Sequence, residues 1–109
     1  MAATYKVLGQ SSPSATTDTD VYTVPSATST VVSTITVCNR SASAVTYRIA
    51  VRPAGASIAN QHYIAYDVTL AASDTTALTL GITLATTDVV TVYASTANTS
   101  FNIFGSEIS

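Results

Sequence analysis

The chain reads as all-β, a single antiparallel β-sandwich of jelly-roll or immunoglobulin-like topology. Three observations point there. Apolar residues recur at every second position through most of the sequence. The apolar runs are rich in Val, Ile, Thr and Tyr, and turn-forming residues separate them at intervals of roughly 8–12 positions. No segment carries a convincing 3.6-residue period. Counting the runs predicts about seven or eight strands. The Cys and Trp signature of antibody domains is missing, because the chain has one Cys and no Trp.

The element around which the rest is arranged is Ser29 to Arg52, STVVSTITVCNRSASAVTYRIAVR. It is expected to form two strands joined by the polar turn Asn39 to Ser43 as a hairpin. The first strand offers Val31, Ser33, Ile35 and Val37 on one face, and the second offers Val45, Tyr47, Ile49 and Val51. Thr34, Thr36 and Cys38, then Thr46, Arg48 and Arg52, occupy the opposite faces.

Before this element, Thr4 to Gly9 is a short strand. Gln10 to Asp20 is polar and aperiodic, contains Pro13, and is expected to be an arm or linker. The predicted organisation is therefore a short strand and arm over 1–20 and a sandwich over 21–109. Val21 to Val24 is the next strand, stopped by Pro25. After the hairpin, Pro53-Ala54-Gly55-Ala56 is the clearest turn. Gln61 to Leu70 alternates, with Ile64, Tyr66, Val68 and Leu70 expected inward. Thr76 to Leu84 is expected as one strand with Leu78, Leu80, Ile82 and Leu84 inward. Val89 to Ser95 is apolar on both faces at its start, which predicts a central or covered strand. Phe101 to Ile108 closes the chain, with a bulge expected near Gly105.

Composition narrows the function classes. Charged residues make up 9% of the 109, against about 25% in an ordinary domain, and Thr and Ser, about a third of the chain, take their place. A hydroxyl surface repels its neighbours little and loses little side-chain entropy when covered, which suits a subunit packed into an assembly. With net charge −2 and four basic residues, the chain lacks the cationic footprint of a nucleic-acid binder. Thr, Ser or Asp interrupts every apolar run, so no membrane span is expected. The opening MAATYKVLGQSSPS lacks the basic start and apolar core of a signal peptide, which predicts folding inside the cell that makes the chain.

Catalytic constellations are sparse, and the reading is of a non-enzyme without cofactor or metal. His62 and Asp67 lie roughly 17 Å apart along an extended strand and on opposite faces, a poor base and orienter pair. No serine stands in a Gly-x-Ser-x-Gly elbow. Asp18 and Asp20 lack the Gly and Glu of a calcium loop. Cys38, the single cysteine, cannot form an intrachain disulfide and reads as a small strand side chain. The candidate interface is Arg40, Arg48 and Arg52, three of the four basic residues, with Tyr63 and Tyr93 as outward aromatics. Either the arginines dock a partner or they pair with Asp67 or another strand's carboxylate.

The phrases VYTVPSATSTVVSTITVCNR, YRIAVRPAGASIANQHYIAYDVTLAASDTTALTLGITLATTDVVTVYAST and SFNIFGSEIS resemble a family of small virion proteins of tailed bacteriophages, cyanophages especially. The resemblance covers most of the chain from Tyr22 onward. It implies a β-sandwich that binds copies of itself, as a homo-oligomer with a trimer favoured, and the major capsid protein or other virion proteins. It further implies a capsid cement or decoration subunit located in the virion, made and folded in the host cytoplasm. The alternative is a tail, baseplate or fibre component, in which convergence of Tyr63, Tyr66 and Tyr93 on one groove would favour carbohydrate binding.

Overall fold

A computed structural model describes residues 2–109. The strands are β1 (Ala3–Ser11), β2 (Thr19–Thr23), β3 (Ser29–Asn39), β4 (Val45–Arg52), β5 (Tyr63–Leu70), β6 (Thr75–Leu78), β7 (Ile82–Leu84), β8 (Val89–Ala94) and β9 (Thr99–Ile108). Short 3-10 turns at Pro53–Gly55 and Asn60–His62 fill the link between β4 and β5. One sheet runs β1-β9-β3-β6, with β7 also on β3, and the other runs β2-β8-β4-β5. All pairings are antiparallel. The sheets pack face to face over one core of Tyr22, Val32, Ile35, Val37, Val45, Tyr47, Ile49, Val90, Val92, Phe101, Ile103 and their neighbours.

The Ser29 to Arg52 element departs from the expected hairpin. β3 and β4 belong to different sheets, so the Asn39 to Ser43 turn is an arch from one layer to the other. Ile35, Val37, Val45, Tyr47 and Ile49 are buried as expected, but the two apolar walls face each other across the core instead of lying side by side. Asn39, 1% exposed, holds the arch. Its Nδ2 donates to Ser43 O at 2.8 Å and Ala71 O at 3.0 Å, while its Oδ1 accepts from Ser41 N and Ser41 Oγ. One buried amide thereby ties the β3–β4 arch to the turn after β5, which removes the cost of desolvating it.

Bulges account for most other departures. A register shift between Val32 and Thr34 reverses the phase of β3. Val32 is buried where Val31 was expected, and Ser33 is exposed. β1 shifts between Val7 and Gly9 opposite the same part of β9. The bulge anticipated near Gly105 therefore exists on both neighbours of β9, with Leu8 and Ser33 as the extra residues. Gly105 is needed there because a Cβ would stand 2.0 Å from Val31 O. The stretch expected as one strand to Leu84 breaks into β6 and β7, with Gly81 at φ +64°. Leu80 in the break is 51% exposed, not inward, while Leu84 reaches the core. That break brings the strand total among the described residues from eight to nine.

β8 lies between β2 and β4, the central position its two apolar faces predict. The two ends of the segment expected as an arm are built into the sheets. Gln10 and Ser11 continue β1 opposite Asn102 and Phe101, and Thr19 and Asp20 open β2 opposite Val92 and Thr91. Between them Pro13 is buried and Thr16 N donates to Ala94 O at 2.8 Å.

One polar chain closes the end of the sandwich. Thr30 Oγ1 lies 2.7 Å from Tyr22 Oη, which donates to Glu107 Oε2 at 2.6 Å, and Lys6 Nζ reaches Glu107 Oε1 at 3.1 Å. Burial, then the bond to Glu107, pushes the Tyr22 phenol up to about 12. The Tyr22 and Lys6 hydrogen bonds hold the Glu107 carboxyl below its ordinary value of 4.5. A depressed carboxyl contributes stability that is complete above its unfolded pKa and is lost as pH falls through the folded one. A raised phenol contributes stability that is complete below pH 10 and is lost towards about 12. Urea midpoints are expected to fall below about pH 4.5 and above about pH 10. Glu107→Gln should flatten the acid limb, and Tyr22→Phe should reduce the alkaline one, leaving the part that burial of the Tyr47 phenol contributes.

Candidate functional site

The outer face of the β2-β8-β4-β5 sheet carries most of the predicted site. Arg48 on β4 pairs with Tyr93 on β8. On its other side Tyr47 pairs with Val68 and Ile49 with Ala65, so two residues, Tyr66 and Asp67, stand opposite Arg48 alone. Asp67 takes φ +49°, a left-handed conformation that Asp tolerates better than most residues. A bulge of this kind re-aims side chains. Here it brings both a ring and a carboxylate onto one guanidinium.

Arg48 Nε donates to Asp67 Oδ1 at 2.6 Å and Arg48 Nη2 to Asp67 Oδ2 at 3.3 Å. The guanidinium carbon lies 4.4 Å from the Tyr66 ring centre and 4.2 Å from that of Tyr93. Tyr63 meets Tyr66 edge-on, with centres 4.8 Å apart and planes at 81°. The Asp67 hydrogen bonds raise the Arg48 pKa above its already high value. Tyr63 and Tyr93 face outward as predicted. Tyr66 does so against the prediction, at 56% exposure, because the bulge reverses the phase of β5; Ile64, at a second register shift, is likewise exposed.

Arg52 has a different task. Its Nη2 contacts Asp20 Oδ1 at 2.8 Å, its Nε donates to Thr91 Oγ1 at 3.0 Å, and its Nη1 donates to Gly55 O and Ala56 O at 3.1 and 2.9 Å. It fastens the turn after β4 over β8 and holds the start of β2. Arg40 lies apart, at the end of the other sheet, where it donates to Ser100 Oγ, Ser12 Oγ and Ala97 O. The three arginines therefore do not form the single docking surface that their sequence positions suggested. Two are struts on one sheet, and the third fastens a corner.

Nearly all the charge of the described residues is spent within the chain itself. Lys6–Glu107, Arg48–Asp67 and Arg52–Asp20 are ion pairs. Asp88 accepts from Ala54 N and Ala85 N, and Asp74 from Thr75 N. His62 is buried, with Nδ1 accepting from Ala59 N at 3.0 Å, while Asp67 is engaged by Arg48. Cys38 is half-buried. Among the described residues no three His, Cys, Asp or Glu side chains gather as a metal site would require.

Two surfaces remain open. A groove of about 490 Å³ is lined by Asn60, Tyr63 and Tyr66. On the opposite side of the sandwich, the register places Tyr5 and Val7 of β1 beside Ser106 and Phe104 of β9 and Val31 and Thr34 of β3. Tyr5 is 85% exposed and Val7 47%, and a groove of about 450 Å³ runs past Tyr5, Val31 and Phe104. Asn60 and Tyr5 were not singled out in the sequence, whereas Asp67 was named as a partner for the arginines and Tyr66 only for the carbohydrate alternative. Asp67, a lone charged residue within the run YIAYDVTL, is the only sequence signal of the bulge.

No protein-family model, curated protein or solved structure matches the chain.

Replacing Arg48 with Ala is expected to cost about 1–2 kcal/mol, the worth of a partly buried cation–π contact with a forked ion pair. Arg48→Lys should recover less than half of it, since an ammonium cannot lie flat between two rings while holding a carboxylate in a fork. Urea unfolding of both variants, alone and with Asp67→Ala, measures the coupling; a loss of under about 0.3 kcal/mol for Arg48→Ala would contradict it.

Proposed function

We propose that the chain is a non-enzymatic structural subunit of a tailed-phage virion, acting as capsid cement. The observation that carries this reading is a surface whose charge is spent within the subunit, next to an exposed apolar strip. Lys6, Arg48 and Arg52 all pair with carboxylates of their own chain. Tyr5, Val7, Val31 and Phe104 line one outer face. Such a surface packs against protein neighbours at small electrostatic cost. The resemblance of the chain to small virion proteins names the neighbours: further copies of the chain and the shell protein.

The topology we infer is a jelly roll. The orders β1-β9-β3-β6 and β2-β8-β4-β5 make most successive strands change sheets, and β4–β5 is the same-sheet hairpin apart from the β6–β7 break. An immunoglobulin-like sandwich keeps more of its consecutive strands within one sheet. A shape of 45 × 27 × 20 Å suits a subunit laid across a shell.

Purified protein mixed with separated heads and tails of the encoding phage is expected to sediment with the heads at a fixed ratio. Sedimentation with tails alone favours a tail, baseplate or fibre place, and sedimentation with neither overturns the virion reading.

A second reading is favoured by one observation: Tyr63, Tyr66 and Arg48-bound Tyr93 converge on one face beside Asn60. Arg48 already fills the space between two rings, so that space is closed to a cationic ligand, and its charge is matched by Asp67. A neutral sugar, apolar on its ring face and polar at its edge, fits the remaining groove at Tyr63 and Tyr66. Neutral glycan titration followed by NMR should perturb Asn60, Tyr63 and Tyr66, and Tyr66→Ala should weaken binding at least tenfold. Unchanged spectra at millimolar glycan exclude this role.

A further inference from the structure

We propose that β1 is a self-pairing edge: two copies of this chain join β1 to β1 antiparallel about a two-fold axis at Tyr5, giving one sheet that runs through both subunits. The inference rests on which backbone groups β1 leaves free. Ala2 and Ser109 exchange two hydrogen bonds, Ala2 N to Ser109 O at 2.8 Å and Ser109 N to Ala2 O at 3.0 Å. In an antiparallel ladder such pairs alternate with pairs that do not bond each other. With the register Ala3–Ile108, Thr4–Glu107, Tyr5–Ser106, Lys6–Gly105 and Val7–Phe104, the bonds to β9 come from Thr4 and Lys6. The N–H and C=O groups of Ala3, Tyr5 and Val7 therefore point away from β9, to the open side.

The other sheet edges are each interrupted. β5 carries two register shifts and left-handed Asp67. β6 and β7 are separated by the break at Gly81. β2 spans only Thr19–Thr23, shifts register between Asp20 and Tyr22, and is followed by Pro25. Bulges, short strands and prolines are the devices by which sheet edges are kept from pairing. β1 has none of these between Ala3 and Val7, its shift coming only after Val7; it does carry a lysine, a further device of this kind, but the Lys6 charge is matched by Glu107 of its own chain.

The occupant follows from the register. Antiparallel pairing centred on Tyr5 sets Ala3 against Val7 of the second copy, Tyr5 against Tyr5, and Val7 against Ala3. These are the residues whose backbone groups are free, so all three pairs bond, giving about six hydrogen bonds. Thr4 falls opposite Lys6, which keeps the two lysines apart, and each Lys6 retains its own Glu107. Tyr5 and Val7 share the outer face, so the strip they form with Val31 and Phe104 continues across the axis. The interface is self-complementary, as a two-fold contact must be.

The proposal is independent of where the subunit sits in a particle. Light scattering of the full chain across concentration is expected to give twice its 11.2 kDa mass. Tyr5→Pro removes an outward N–H without touching the ladder to β9, and should give a monomer. Tyr5→Lys places like charges opposite each other and should do the same at a residue 85% exposed, so one variant decides if the other misfolds. Tyr5→Cys with Cys38→Ser should give a disulfide-linked dimer under mild oxidation, the opposed Cα atoms lying about 5.5 Å apart. A wild-type chain still monomeric at millimolar concentration, an oligomer of three chains, or a dimer that survives Tyr5→Lys overturns the pairing. None of these results bears on sedimentation with heads, which tests the virion reading alone.

Discussion

The contact on which the rest of the molecule depends is the closure of two apolar walls across the sandwich. Val45, Tyr47 and Ile49 of β4 close over Ile35 and Val37 of β3 and Phe101 and Ile103 of β9. Tyr47 meets Phe101 edge-on, with ring centres 6.3 Å apart. Each sheet has one face that must leave water, and neither can do so without the other. The arch at Asn39 follows from that requirement. The chain changes layers there, and the buried amide satisfies the backbone groups of two turns that would otherwise lose their water.

Polar chemistry is arranged around this core as fastening. Arg52 binds a turn and the start of β2 to β8, Arg48 joins β8, β4 and β5 across the outer face, and the Lys6–Glu107–Tyr22–Thr30 chain seals one end. These groups couple neighbouring strands and leave little field outside the molecule. A chain with 9% charged residues cannot both fasten itself in this way and present a basic patch. The same thrift leaves Ser and Thr with a few exposed tyrosines and aliphatics as the material from which contacts with other molecules are made.

Alternation along Ser29 to Arg52 and Val89 to Ser95 made the sandwich legible, because burial on one face of a strand imposes a period of two. Alternation says which face is buried and nothing about which strand lies alongside, so an arch and a hairpin look alike in the sequence. Bulges were the second obscurity. Each inserts one residue and reverses every later position, as at Ser33, Ile64 and Asp67, so Val31 and Tyr66 were assigned to the wrong side. Arg48, Tyr63 and Tyr93 were found by their outward phase. Asp67 was named only as one carboxylate the arginines could pair with, and Tyr66 was assigned inward, because the feature that brings both to Arg48 is a backbone irregularity. Leu80 was misplaced for a related reason: Gly81 permits a conformation that ends a run whose side-chain pattern continues through it.

The ladder between β1 and β9 also governs the order in which the molecule takes shape. β9 occupies the middle of its sheet, between β1 and β3, and follows the other eight described strands in sequence. While a ribosome is still making the earlier strands, β1 and β3 have no central partner, and the first sheet cannot close. The second sheet likewise waits for β8, which joins β2 to β4. Contacts this distant in sequence must meet the entropy of closing long loops before they are rewarded, so folding is expected to be slow and late, finishing only after synthesis has passed Ile108. Until then the nascent chain exposes strand edges that the finished fold covers, and these are the surfaces on which partly made copies meet in a crowded cell.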